Sequence, residues 1–71
     1  MTKNFDKYWQ GSKPKACDLC KQPFKTIFYD SRTKQGPWSL LCHACFLEYG
    51  MGLGLGYGQS YDLESLKKLG G

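Results

Sequence analysis

No apolar run in this 71-residue chain approaches the roughly 20 residues that cross a bilayer, so a membrane-spanning helix is excluded and a soluble protein is expected. Histidine is scarce too. His43 is the only one and the six carboxylates are scattered singly, so neighbours in sequence supply neither a histidine-based nor a paired-carboxylate catalytic centre. A glycine-rich stretch runs from Gly50 to Gly58, yet no lysine follows until Lys67, and the spacing of a phosphate-binding loop is missing. Length is also short. A chain of this size buries a modest share of its surface and commonly needs a metal or disulfides to hold even one domain.

What is present is a set of four cysteines arranged as two CxxC pairs, Cys17 with Cys20 and Cys42 with Cys45, separated by 21 residues. Two thiolates on one tight turn grip one side of a zinc ion, and a second pair completes a tetrahedron with Zn–S bonds of about 2.3 Å. Two disulfides are the competing reading, but no secretory signal precedes the cysteines, so a reducing compartment is expected. A thioredoxin-like CxxC would leave the second pair unexplained. We therefore expect one structural zinc ion on Cys17, Cys20, Cys42 and Cys45, with folding coupled to metal binding. Four thiolates leave no open position for a substrate or water, so no enzymatic activity and no small-molecule substrate are expected.

The net charge of +4 hides an asymmetry, since residues 1–41 carry +5 and residues 42–71 carry −1. A polyanionic partner is compatible with the basic front half.

Residues 1–15 read as an N-terminal extension ending in linker residues Gly11, Ser12 and Pro14. Phe5, Tyr8 and Trp9 would share one face of a helical turn beginning near Asn4, either packed on the domain as extra core or exposed to a partner. Residues 16–61 read as the zinc domain. CDLCKQPF forms a zinc knuckle, Lys25–Tyr29 and Trp38–Leu41 form a β-hairpin, and Asp30–Pro37 turn between them. Arg32 and Lys34 sit near the tip of that loop, solvated or touching phosphate. LLCHACFLEYG then reads as a helix with Cys42 at its start and Cys45 one turn on, its N-terminal dipole lowering both thiol pKa values. His43 points away from the ion as a surface residue, and Gly50 fits the left-handed position after a helix end. Phe24, Phe28, Trp38, Leu40, Leu41 and Phe46 are the expected core.

From Gly50 to Gly58, glycines alternate with Met51, Leu53, Leu55 and Tyr57, which predicts an extended segment with one smooth face. Glycine there equally allows close packing or positive φ, and a ligand on the glycine face is the sharper alternative. Residues 62–71 predict a short helix or tail, with Asp62 as cap and Leu63, Leu66 and Leu69 in a stripe that docks on the domain or on another chain.

Knuckle, hairpin and cysteine-bearing helix together are the order of a treble-clef zinc finger, so the expected fold is small, zinc-stabilised and α+β. The stretch Trp38-Ser39-Leu40-Leu41-Cys42-His43-Ala44-Cys45 resembles the second half of GATA-type fingers, a family that binds DNA through its helix and a basic tail. Here the spacer is longer, and glycine-rich sequence follows the helix in place of basic residues. Tyr29-Asp30, Thr33, Gly36-Pro37-Trp38, Leu41-Cys42, Cys45, Gly50, Gly52-Leu53-Gly54, Gly56, Gly58-Gln59 and Tyr61 are similar to a family of small bacteriophage zinc-finger proteins. That resemblance implies a setting, the cytoplasm of an infected bacterium, and no particular reaction.

Two partner classes follow. Nucleic acid would be held by Lys13, Lys15, Lys21, Lys25, Arg32 and Lys34. A host or phage protein would instead dock on Trp9, the glycine segment or the leucine stripe. The helix speaks against a major-groove reader, because its surface offers Glu48 and no cation.

Overall fold

The consecutive large side chains Ile27, Phe28 and Tyr29 open the central strand of the fold. In the computed structural model, which describes residues 8–71, strand β1 (Ile27–Arg32) is followed by β2 (Trp38–Leu41), helix α1 (His43–Tyr49), β3 (Gly58–Asp62) and β4 (Lys68–Gly70). The four strands form one antiparallel sheet in the order β2-β1-β3-β4.

A strand covered on both faces does not need to alternate apolar with polar, and β1 shows why. On one face, Phe28 is fully buried opposite Tyr61 in the ladder, their rings stacked 5.3 Å apart. Phe24 and the edge-on ring of Trp9 close that cluster at 5.6 and 5.4 Å. On the other face, Tyr29 lies opposite Leu41 and stacks on Phe46 of α1 at 4.1 Å. The expected core residues Phe24, Phe28 and Leu41 are buried, and Leu40 and Phe46 pack against them half-buried.

Trp38 corrects the expected core, since it is 46% exposed. Its ladder partner is Arg32, at the end of β1 remote from the Phe28–Tyr61 cluster, and among the described residues no ring packs on it there as Trp9 and Phe24 do on Phe28. The turn is also shorter than expected. Asp30, Ser31 and Arg32 belong to β1 because β3 pairs along the strand's other side, holding Asp30 to Gln59 and Ser31 to Gly58.

Gly50 is not left-handed but extended, with φ −77° and ψ 160°. Its N–H closes the last helical turn on the Phe46 carbonyl, and the chain then bridges back to Thr33. A Cβ here would lie 2.7 Å from that carbonyl oxygen, so glycine serves close approach. Beyond it, the expected extended segment is replaced by a looped one. Gly52, Gly54 and Gly56 adopt φ of 98°, 135° and 83°, and Gly54 pairs with Gly58 around a turn whose tip is Leu55. Positive φ at alternate residues breaks the pleat that a smooth-faced strand requires.

The expected C-terminal helix is likewise absent. Asp62 does act as a cap, its Oδ2 accepting from the Ser65 N–H at 2.7 Å and the Ser65 hydroxyl at 2.9 Å, and the Leu66 N–H closes one turn on the Asp62 carbonyl. Leu66 then turns left-handed at φ 65°, and Lys68–Gly70 pair with β3 as β4. About two turns of helix are marginal by themselves, whereas this path adds a strand to the sheet and leaves Leu63 and Leu66 packed on the core. Trp9 joins the same region, its N–H donating to the Leu66 carbonyl at 2.8 Å, while Tyr8 bridges to Lys67. Trp9 thus serves as core, although Tyr8 and Trp9 are not on a helical turn. Phe5 and the expected helix start at Asn4 lie outside the described residues.

Candidate metal centre

The first cysteine pair sits on a turn held by its own backbone. Ala16 bridges to Pro23, the Phe24 N–H donates to the Lys15 carbonyl, the Cys17 N–H to Gln22 and the Lys21 N–H to Cys17, each at 3.0 Å, and Lys21 takes φ 66° to reverse the chain. One residue between the cysteines then anchors the turn to the sheet. Asp18 donates its N–H to the Leu40 carbonyl and accepts the Leu40 N–H on Oδ2, both at 2.8 Å. This double bond covers the free edge of β2, and since Leu40 stands two residues before Cys42 it sets the first pair beside the second.

Cys42 caps α1 and Cys45 lies in its first turn. All four Sγ atoms fall within 4.8 Å of one another, and Cys20 Sγ lies 3.7 Å from Cys42 Sγ. A tetrahedron with 2.3 Å metal–sulfur bonds has edges of about 3.8 Å. The donor set fits one tetrahedral ion, and the four cysteines are free thiols, which sets disulfides aside. Cys17, Cys20, Cys42 and Cys45 can therefore hold one metal ion, and zinc suits an all-thiolate tetrahedron.

The protons are unevenly held. Burial pushes the Cys17 thiol up, but the N–H groups of Cys20, Cys42 and Leu19 favour its thiolate and bring it to about 6. Cys45 goes the other way, pushed up to about 12 by burial and by the hydrogen bonds it shares with the Cys17, Cys42 and Cys20 thiols. The expected lowering of Cys45 by the helix dipole is thus outweighed. At Cys20 the Gln22 N–H pulls downward, yet burial and the thiols of Cys42 and Cys17 leave it raised. Cys17 is the natural first thiolate, and the others surrender protons to a cation.

His43 is exposed and outside the quartet, its Nδ1 sharing a 2.9 Å hydrogen bond with the Tyr29 hydroxyl. Between the knuckle exit and the start of α1 runs a cleft of about 440 Å³, with Lys25, Thr26 and His43 among its lining residues.

Lys13, Lys15, Lys21, Lys25, Arg32 and Lys34 are all exposed. They do not gather in one place. Lys15, Lys21 and Lys25 surround the knuckle, whereas Arg32 and Lys34 stand at the far end of β1, whose six residues span about 17 Å. Lys13 lies near enough to Asp62 to help the Ser65 hydrogen bonds lower that carboxyl's pKa. Sequence reasoning missed Asp18, for which an aspartate between two cysteines carries no distinguishing signal.

No family model, curated protein or solved structure matches the chain. Among the described residues no helix is long and apolar enough to cross a membrane.

Proposed function

We propose that this protein is a non-catalytic, zinc-stabilised module of treble-clef type that binds nucleic acid through phosphate contacts. The observation that carries the reading is the exposure of Lys13, Lys15, Lys21, Lys25, Arg32 and Lys34, six of the eight front-half cations, on a scaffold that engages three of its six carboxylates elsewhere. Asp18 is committed to Leu40 and Asp62 to Ser65, while Asp30 is half-buried and held above its usual range by desolvation. Exposed cations with few competing acids act on a polyanion as point charges, largely indifferent to base sequence. On this proposal, the resemblance to bacteriophage fingers sets the activity in the cytoplasm of an infected bacterium.

The test is the salt dependence of binding. Replacing Lys21, Lys25 and Arg32 together by Ala should weaken binding to any sequence and flatten the slope of log K against log salt by about 2.7 on duplex DNA. Metal content and melting temperature should not change. A silent triple change would overturn the reading. Leu55, 93% exposed at the tip of the glycine loop, supports a second reading as an adaptor for another protein. That reading expects the triple change to be silent and Leu55→Ala to abolish co-purification of the partner.

A further inference from the structure

At the hairpin end of the sheet, three exposed residues occupy neighbouring positions, two in paired strands and the third in the turn that leads into β3. Trp38, the first residue of β2, stands opposite Arg32 in the ladder, and residues directly opposite share a face. On the other side of β1, the Arg32 N–H donates to the Tyr57 carbonyl at 2.9 Å, one step beyond the Ser31–Gly58 pair. Trp38 is 46% and Tyr57 49% exposed, and Arg32 between them is exposed as well. Adjacent strands lie about 4.8 Å apart, so the backbones of the two aromatic residues are roughly 10 Å apart with that of Arg32 between them.

Among the described residues none of the three side chains takes part in a ring contact or an ion pair. The ring contacts among the described residues involve Trp9, Phe24, Phe28, Tyr29, His43, Phe46 and Tyr61. Arg32 pairs with no carboxylate among the described residues. Single exposed rings are ordinary, but two rings flanking a cation match the repeat of a single strand, in which splayed bases alternate with phosphates. Lys34 extends the positive charge two residues further.

A duplex fits this surface poorly, because its base faces are stacked on one another and unavailable to a ring. Nor does α1 offer a groove reader, with seven residues and no basic side chain in its last turn. We infer that Trp38, Arg32 and Tyr57 form a stacking platform for single-stranded nucleic acid, with bases on the two rings and the intervening phosphate on Arg32. This rests on the nucleic-acid reading and names the form of the ligand.

The experiment is fluorescence anisotropy of the full chain with labelled oligothymidylate of about 12 nucleotides and a duplex of equal length, at about 50 mM salt. The single strand should bind at least about tenfold more tightly, and Trp38→Ala and Tyr57→Ala should each weaken it about 5- to 150-fold. Trp38→Phe, which keeps a ring, should restore most of the binding, and circular dichroism should show all three variants folded. Equal or tighter duplex binding that ignores Trp38→Ala would overturn the platform while leaving phosphate contact standing. Absence of binding to either form would overturn both.

Discussion

Asp18 ties the knuckle to the sheet, and its removal should be felt at the metal. In Asp18→Ala the backbone bond from the Asp18 N–H to the Leu40 carbonyl survives, and the 2.8 Å bond from the Leu40 N–H to Oδ2 is lost. A hydrogen bond to a charged acceptor contributes about 1.5–3 kcal/mol. Asp18 is exposed, so water can replace part of the bond and the low end, about 1.5–2 kcal/mol, applies. If metal binding and folding are one equilibrium, that loss passes into apparent metal affinity, at tenfold per 1.4 kcal/mol. The expected change is therefore about 10- to 30-fold weaker zinc binding, read by competition with a chromophoric chelator. Asp18→Asn keeps an acceptor oxygen without the charge and should fall between the two. An affinity for Asp18→Ala within about twofold of the wild type would refute the argument, showing that the thiolates alone bring the knuckle to Leu40.

Trp9→Ala should destabilise by about 2–4 kcal/mol through its edge contacts with Phe28 and Tyr61, whereas Trp38→Ala should cost under about 1 kcal/mol, and thermal melts of the two should rank accordingly. At pH 7 the raised Cys45 and Cys20 thiols are protonated in the metal-free site, so metal uptake displaces at least those two protons and apparent affinity should rise by about two decades or more per pH unit. Below about pH 6 Cys17 is protonated too and the dependence steepens; calorimetry in buffers of different ionisation enthalpy counts the protons, and a count near zero would contradict the assignment. Gly58→Ala would set a Cβ 2.8 Å from the Gly52 carbonyl oxygen and 2.9 Å from Ser31 Oγ, so a loss of about 1–3 kcal/mol is expected in a melt.

The metal quartet was legible because CxxC spacing imposes a tight turn whatever the rest of the chain does, and the four thiols do converge. Strand β2 and helix α1 were legible for a similar local reason, since Trp38–Leu41 and the residues after Cys42 carry their own propensities. Strand β3 was not. Its sequence, GQSYD, has a burial pattern unrelated to hydropathy, because Gly58 and Ser60 are buried by their neighbours β1 and β4. The leucine stripe misled in an instructive way. Leu63 and Leu66 reach the core from a single capped turn, and Leu69 then continues as an exposed residue of β4, so a spacing of three served a turn and a strand instead of a helix.

Trp38 shows what a strand pattern cannot contain. Alternation assigns it to the same face as Phe28, four residues along from that strand's partner position, and on composition alone a tryptophan there belongs in the core. Burial of a sheet face depends on what lies over it, and Trp9 and Phe24, which come from the extension and the knuckle, make their ring contacts at the Phe28 end. The N–H of Trp9 is fixed on Leu66 and Phe24 on Lys15, so the cover cannot slide toward Arg32 without breaking both. One end of the face is thereby sealed by aromatic packing and the other held open with its own aromatic residues beside a cation. The division that concentrates the aromatic core at the Phe28 end is the same one that leaves Trp38, Arg32 and Tyr57 exposed.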